Sequence, residues 1–128
     1  MKANELRIGN LVQLATHHHP VSVETIFKEN DEYWISTDLH EGERLIDYIP
    51  IPLTKEWLLK FGFEDVKQYN DFSFQKLMND GLFFCLDDSL EVYIGQMQYF
   101  SHSLVVIKYV HQLQNLYFAL TQEELEKK

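Results

Sequence analysis

The chain has 128 residues, the size of one ordinary domain, and 45% of them are hydrophobic, so a buried core needs neither disulfides nor a structural metal. Its 20 acidic against 11 basic residues leave a net charge of -9, which works against binding to a phosphate backbone through charge alone. Aromatic residues make up 14% of the chain, too many for a disordered segment despite that charge.

The opening Met1-Lys2-Ala3-Asn4-Glu5-Leu6-Arg7 mixes charge with small residues where a secretion signal would carry an apolar stretch. No apolar run is long enough to cross a bilayer, so the expected location is the cytoplasm, away from membranes. Residues 8–14 read as a strand that runs into a polar loop from Thr16 to His19. Pro20 then opens Val21 to Phe27, where apolar and polar side chains alternate with the period of two of a half-buried strand. A turn at Lys28 to Asp31 leads to a β-rich segment, Tyr33 to Thr37, and a loop from Asp38 to Gly42 leads to Leu45 to Ile49. Short strands joined by hairpin-length loops predict a small antiparallel sheet, curled into a partly open SH3-like barrel, over residues 1–53.

Pro50 and Pro52 mark a seam. Beyond it Thr54 is placed to cap a short linking helix, with Glu56 in the first turn, an apolar stripe of Trp57, Leu58 and Phe61, and Gly62 to end it. Alternation returns at Phe72 and Phe74, and turns at Asn79-Asp80-Gly81 and Asp87-Asp88-Ser89 separate strands at Leu82 to Leu86 and Leu90 to Ile94. Gly95 is expected to interrupt, and a further strand covers Gln98 to Ile107. The period then changes: Val110, Leu113, Leu116, Tyr117 and Leu120 share one helical face, and Thr121 with Glu124 suggests a capping box that starts a second short helix. The chain therefore reads as α+β. Residues 54–128 form a linking helix and a second antiparallel sheet covered by a C-terminal helix, one compact unit with the first half.

Three blocks, MKANELRIGN at residues 1–10, IPLTKEWLLKFGF at 51–63 and VIKYVHQLQNLYFALTQEELE at 106–126, resemble the signature blocks of a family of short, uncharacterised bacterial proteins. Its members often sit in prophage-like or other mobile regions of gut anaerobes. The resemblance implies a shared fold and an accessory, protein-binding role, and it brings no activity, ligand or catalytic residue onto these positions. The three histidines at residues 17–19 fall outside it.

Reactive residue types are dispersed. In His17-His18-His19 adjacent extended residues point to opposite sides, so only His17 and His19 could share an ion, and zinc sites take three or four protein ligands. An adventitious metal site is the most this run offers; a solvated hairpin loop is the simpler reading. The single Cys85 lies within Leu82-Phe83-Phe84-Cys85-Leu86, as a buried, inert thiol would. His102 between Ser101 and Ser103 lacks the G-x-S-x-G elbow of a hydrolase and reads as a turn. Asp87, Asp88 and Glu91 do not have calcium-loop spacing, and glycines 9, 42, 62, 81 and 95 form no phosphate-binding loop, so no cofactor is expected.

Aromatics point elsewhere. Tyr33, Trp34, Tyr48, Tyr93, Tyr99 and Tyr109 cannot all be buried if strands alternate; exposed on an SH3-like sheet they would form a peptide groove, and paired across strands they would not. On the terminal helix His111, Gln112 and Asn115, beside Gln114, form either a polar recognition face or simply a wet outer side. The candidate binding residues are thus Tyr33, Trp34, Tyr48, Tyr109, His111, Gln112 and Asn115. The expected function is a non-enzymatic cytoplasmic protein-interaction module, engaging a protein partner or a second copy of itself. The alternatives are an acidic nucleic-acid mimic and a metal-dependent or hydrolytic enzyme using His17, His19, His40 or His102.

Overall fold

The computed structural model describes residues 1–68, 71–96 and 99–128. The chain is α+β, with two antiparallel sheets and a C-terminal helix. It divides into two compact units: Met1–Pro52 with Tyr109–Leu116, and Leu53–Lys108 with Tyr117–Lys128.

The first unit begins with a 3-10 turn, Ala3–Glu5, followed by β1 (Leu11–Leu14), β2 (His17–Glu29), β3 (Glu32–Thr37), β4 (Glu43–Arg44), a second 3-10 turn (Leu45–Asp47) and β5 (Tyr48–Pro50). The strands lie in the order β4-β3-β2-β1-β5, an open sheet with β4 and β5 at its edges. The long β2 serves both ends. Its first part pairs with β1, Val21 opposite Val12, and its later part pairs with β3, Ile26 opposite Ile35, with a register shift between Val23 and Thr25 that bends the strand. Alternation then sorts the side chains: Val21 and Val23 join Val12, Ile35, Leu6, Leu45 and Tyr48 in one core.

Two turns differ from or sharpen the sequence reading. The expected polar loop over residues 16–19 contracts to a turn at Ala15 and Thr16, because Leu14 already pairs with His17, so all three histidines are exposed strand residues at the start of β2. Between β2 and β3, Asn30 and Asp31 both take positive φ, 53° and 62°, the two-residue turn whose twist matches the flanking strands. The strand expected from Leu45 to Ile49 is replaced by the second 3-10 turn and β5. Leu45 and Tyr48 are three apart and both buried, a spacing that a helix of three residues per turn puts on one side and a strand puts on opposite faces.

The second unit opens with α1 (Lys55–Lys60), whose Thr54 Oγ1 accepts the Trp57 backbone N–H at 3.4 Å and whose chain reverses at Gly62 with φ 85°. Then come β6 (Glu64–Asp65), β7 (Phe74–Leu77), β8 (Phe83–Leu86), β9 (Val92–Gln96) and β10 (Tyr99–Phe100), a meander in the order β10-β9-β8-β7-β6. Phe84, Cys85 and Leu86 are all fully buried, so both faces of β8 are covered over these three residues. Phe63 packs edge-on against Phe84 with ring centres 5.6 Å apart.

Three expectations are corrected here. Gly95 does not interrupt a strand but lies inside β9, where a side chain would collide with the Tyr99 carbonyl and with Phe100 Cα, so its bareness lets β10 close on β9. Of the strand expected from Gln98 to Ile107, Gln98 lies outside the described residues, and only Tyr99–Phe100 is regular strand. The rest follows the β9 side irregularly, Val92 N–H donating to Val105 O and Leu104 N–H to Val92 O. The final helix, α2, runs Val110–Thr121, its residues to Leu116 belonging to the first unit and those from Tyr117 to the second. No second helix starts at Thr121: Gln122 has φ 61°, and Thr121 Oγ1 donates back to the Tyr117 carbonyl at 2.8 Å, ending α2 instead. Within the second unit the Tyr117 ring lies 6.2 Å from that of Phe84. Among the described residues no helix is long and apolar enough to cross a membrane.

Candidate functional site

The 3-10 turn that buries Leu45 and Tyr48 must turn the residue between them outward. Ile46 is accordingly 81% exposed. Its side chain forms one wall of a groove of about 520 Å³ in the first unit, shared with Leu45 and Arg44; Glu32 and Tyr33 from the start of β3 form another, and Met1 to Asn4 close the third side. The volume falls within the range of about 300–1,000 Å³ typical of sites that bury a small ligand or a few side chains. Met1 is 37% and Tyr33 45% exposed, so large apolar surface lines an open depression.

Charge sits at the rim. Lys2 and Arg44 line the groove against a single acid, Glu32, and Lys28 holds its ammonium 5.6 Å from the centre of the Tyr33 ring. Arg44 Nε lies 3.7 Å from Asp47 Oδ2, with both side chains about half exposed, a pairing worth ~0–1 kcal/mol.

The groove wall at residues 1–4 is anchored from behind by a polar network that reaches into α2. Asn115 Oδ1 accepts from Asn10 Nδ2 at 2.8 Å and from Arg7 Nη1 at 3.1 Å, while its Nδ2 donates to the Glu5 carbonyl at 2.7 Å. Gln114 takes the Leu11 N–H on Oε1 at 2.9 Å and gives a hydrogen bond to the Gly9 carbonyl at 3.2 Å. Helix amides therefore satisfy the backbone that leads from the first 3-10 turn into β1, as a buried irregular segment requires. Glu5 Oε2 accepts the Lys2 N–H at 2.6 Å, which holds its carboxyl below the usual range, and its Oε1 is 3.9 Å from His111 Nε2. The His111 ring is 1% exposed and stacks on Tyr109 with centres 6.0 Å apart; burial pushes its pKa below the ordinary value.

Of the seven candidate binding residues, Tyr33 alone lines the groove. Trp34 points to the other face of β3, its indole N–H donating to the Glu29 carbonyl at 3.3 Å. Tyr48 is 3% exposed and belongs to the sheet core, where burial raises its pKa. Tyr109 bridges Pro52 and gives its backbone N–H to Gln112 Oε1 at 3.1 Å. Gln112 thus folds onto its own helix start, and His111 and Asn115 face the N-terminal segment. The candidate set is therefore not one surface: one member, Tyr33, meets the groove and two, His111 and Asn115, stand behind its N-terminal wall.

The histidines proposed for chemistry are scattered. His17 and His19 are exposed on β2, with His17 Nδ1 3.0 Å from Thr16 Oγ1; His40 Nδ1 lies 3.4 Å from Glu43 Oε1; and His102 is exposed, while its neighbour Ser101 uses Oγ to accept the Ile94 N–H. Among the described residues no group of three or more His, Cys, Asp or Glu could hold a metal ion. Cys85 is buried and its thiol is pushed up to about 11. The groove residues missed by the sequence reading are Ile46, Leu45, Arg44, Glu32 and the first four positions. The three-residue spacing of Leu45 and Tyr48 was the available signal for Ile46; nothing local in the sequence marks Met1 to Asn4. Comparison with family models, curated proteins and solved structures returns no match.

Proposed function

We propose that this chain is a non-enzymatic cytoplasmic protein-interaction module whose first unit, a partly open SH3-like barrel, holds apolar side chains of a partner in the groove beside Tyr33 and Ile46. Support for the barrel reading comes from the strand order β4-β3-β2-β1-β5, from a bent β2 shared between two sets of pairings, and from the 3-10 turn just before β5. The observation that carries the docking reading is the exposure of three large apolar side chains, Met1, Tyr33 and Ile46, around a single concavity. Each Å² of apolar surface left in water costs roughly 25 cal/mol, which a docked side chain recovers. The resemblance of the three sequence blocks to bacterial proteins of mobile regions favours an accessory role over a metabolic one.

The test is selection of peptides from a displayed library against the intact chain, followed by affinity measurement on Tyr33→Ala and Ile46→Asp. Both side chains are exposed, so both variants are expected to keep the wild-type urea midpoint and to lose about tenfold or more in affinity. Failure to enrich any peptide, or wild-type affinity retained in both variants, would overturn the proposal.

A further inference from the structure

We infer that the occupant of the groove is an extended segment of another protein that seats one bulky apolar side chain against Tyr33, Leu45 and Ile46 and presents a neighbouring carboxylate to Lys2 and Arg44. The inference rests on the docking reading above and supplies the partner's chemistry.

Its basis is the charge of the groove lining. The chain carries 20 acids against 11 bases, yet the groove lining itself has two bases, Lys2 and Arg44, against one acid, Glu32, with Lys28 against the Tyr33 ring and the acids Asp47 and Glu5 beside Arg44 and Lys2. Among the described residues the ion partner of Arg44 is the exposed Asp47 at 3.7 Å, beyond good hydrogen-bond length, which leaves its planar donor fork open to a better-placed carboxylate. Glu32 sits at the same rim and would repel a second acid, which limits the match to one carboxylate next to the anchor.

An extended backbone fits the surroundings. Arg44 lies in β4, an edge strand of the sheet, and an edge offers main-chain hydrogen bonds to an added segment. A second copy of the same chain is the disfavoured occupant, because two molecules each carrying -9 repel as they approach.

The experiment uses fluorescent peptides on a neutral Ser-Ala background with a central Trp-Glu, Trp-Gln or Trp-Lys, titrated against the wild-type chain, Lys2→Glu, Arg44→Glu and Ile46→Asp. The Trp-Glu peptide is expected to bind wild type about tenfold tighter than Trp-Lys, with the order reversed in Arg44→Glu and Lys2→Glu and all binding lost in Ile46→Asp. Two charge variants guard against one of them misfolding, which unfolding midpoints report. Equal binding of the three peptides to wild type, still lost in Ile46→Asp, would overturn the carboxylate inference while leaving the docking reading intact. No binding by any peptide, or binding that survives Ile46→Asp, would overturn both. Light scattering that finds self-association abolished by Ile46→Asp would make a second copy the occupant and sink the inference.

Discussion

His111 occupies the first turn of α2 with 1% of its surface exposed, and among the described residues neither ring nitrogen has a hydrogen-bond partner. Burial is the largest influence and disfavours its protonation; Glu5 opposes this, the terminal amine adds to it, and the pKa falls below the ordinary value. The unfolded chain, in contrast, takes up this proton at the ordinary histidine value of about 6.5. Below that pH the unfolded state binds a proton that the folded state refuses, so the stabilisation is complete above about 6.5 and is lost as pH falls toward the lowered folded value. Urea midpoints measured from pH 7.5 to 5 should therefore fall, with a slope no steeper than the one-proton limit of about 1.4 kcal/mol per pH unit, and His111→Leu should flatten the profile. An unchanged profile in that variant would place the lost proton elsewhere. Cys85 is the opposite case: the thiol is held protonated at neutral pH by its surroundings and takes part in packing alone.

At the scale of elements, the hairpin of β9 and β10 depends on the missing side chain at Gly95. A Cβ there would stand 2.6 Å from Phe100 Cα and nearer still to the Tyr99 carbonyl oxygen, and both obstacles are backbone that cannot rotate away. Gly95→Ala is expected to cost ~1–3 kcal/mol in urea unfolding, and to do so by detaching β10, which amide exchange at Ser101, whose N–H donates to the Ile94 carbonyl, would detect as lost protection. The second 3-10 turn follows a different logic. Its backbone is chosen by burial: Leu45 and Tyr48 reach the core together only if three residues make one turn, and the exposed Ile46 is the consequence. Thr121 makes the same point at the end of α2, where a residue suited to starting a helix closes one by bonding back to Tyr117.

At the scale of the whole molecule, the dominant property is acidity. The charge of -9 makes copies repel one another at neutral pH, and the sequence pI of about 5.0 marks where that repulsion disappears. Light scattering across pH 7.5 to 4.5 should therefore rise to a maximum near pH 5, and added salt at pH 7.5 should narrow the difference by screening the same repulsion. Persistence of monodisperse solutions at pH 5 would mean that charge is not what prevents association. Around the groove Lys2, Lys28 and Arg44 stand among the acids Glu32, Asp47 and Glu5, so both signs meet there.

Alternation and turn chemistry in the sequence suffice for the two antiparallel sheets, α1 with its Thr54 cap, and the presence of α2, because each of these is set by neighbours within a few residues; the buried side of α2 is not so set, since Leu120 is exposed and His111 and Gln114 are buried. The same local rules predict a buried Cys85, which stands inside an unbroken apolar run. What local rules cannot reach is decided by contacts between distant positions. Asn115 meets Asn10 and the Glu5 carbonyl, more than a hundred residues away, and so a helix face that reads as a wet or recognising surface becomes the support of the amino terminus. The groove has the same origin, since Met1 to Asn4, Tyr33 and Ile46 carry no shared period and acquire a common wall only when β3 and the second 3-10 turn come to lie beside the chain's first residues. Short-range geometry is written in residue spacing; concavity is a property of surfaces that meet, and only tertiary packing brings them together.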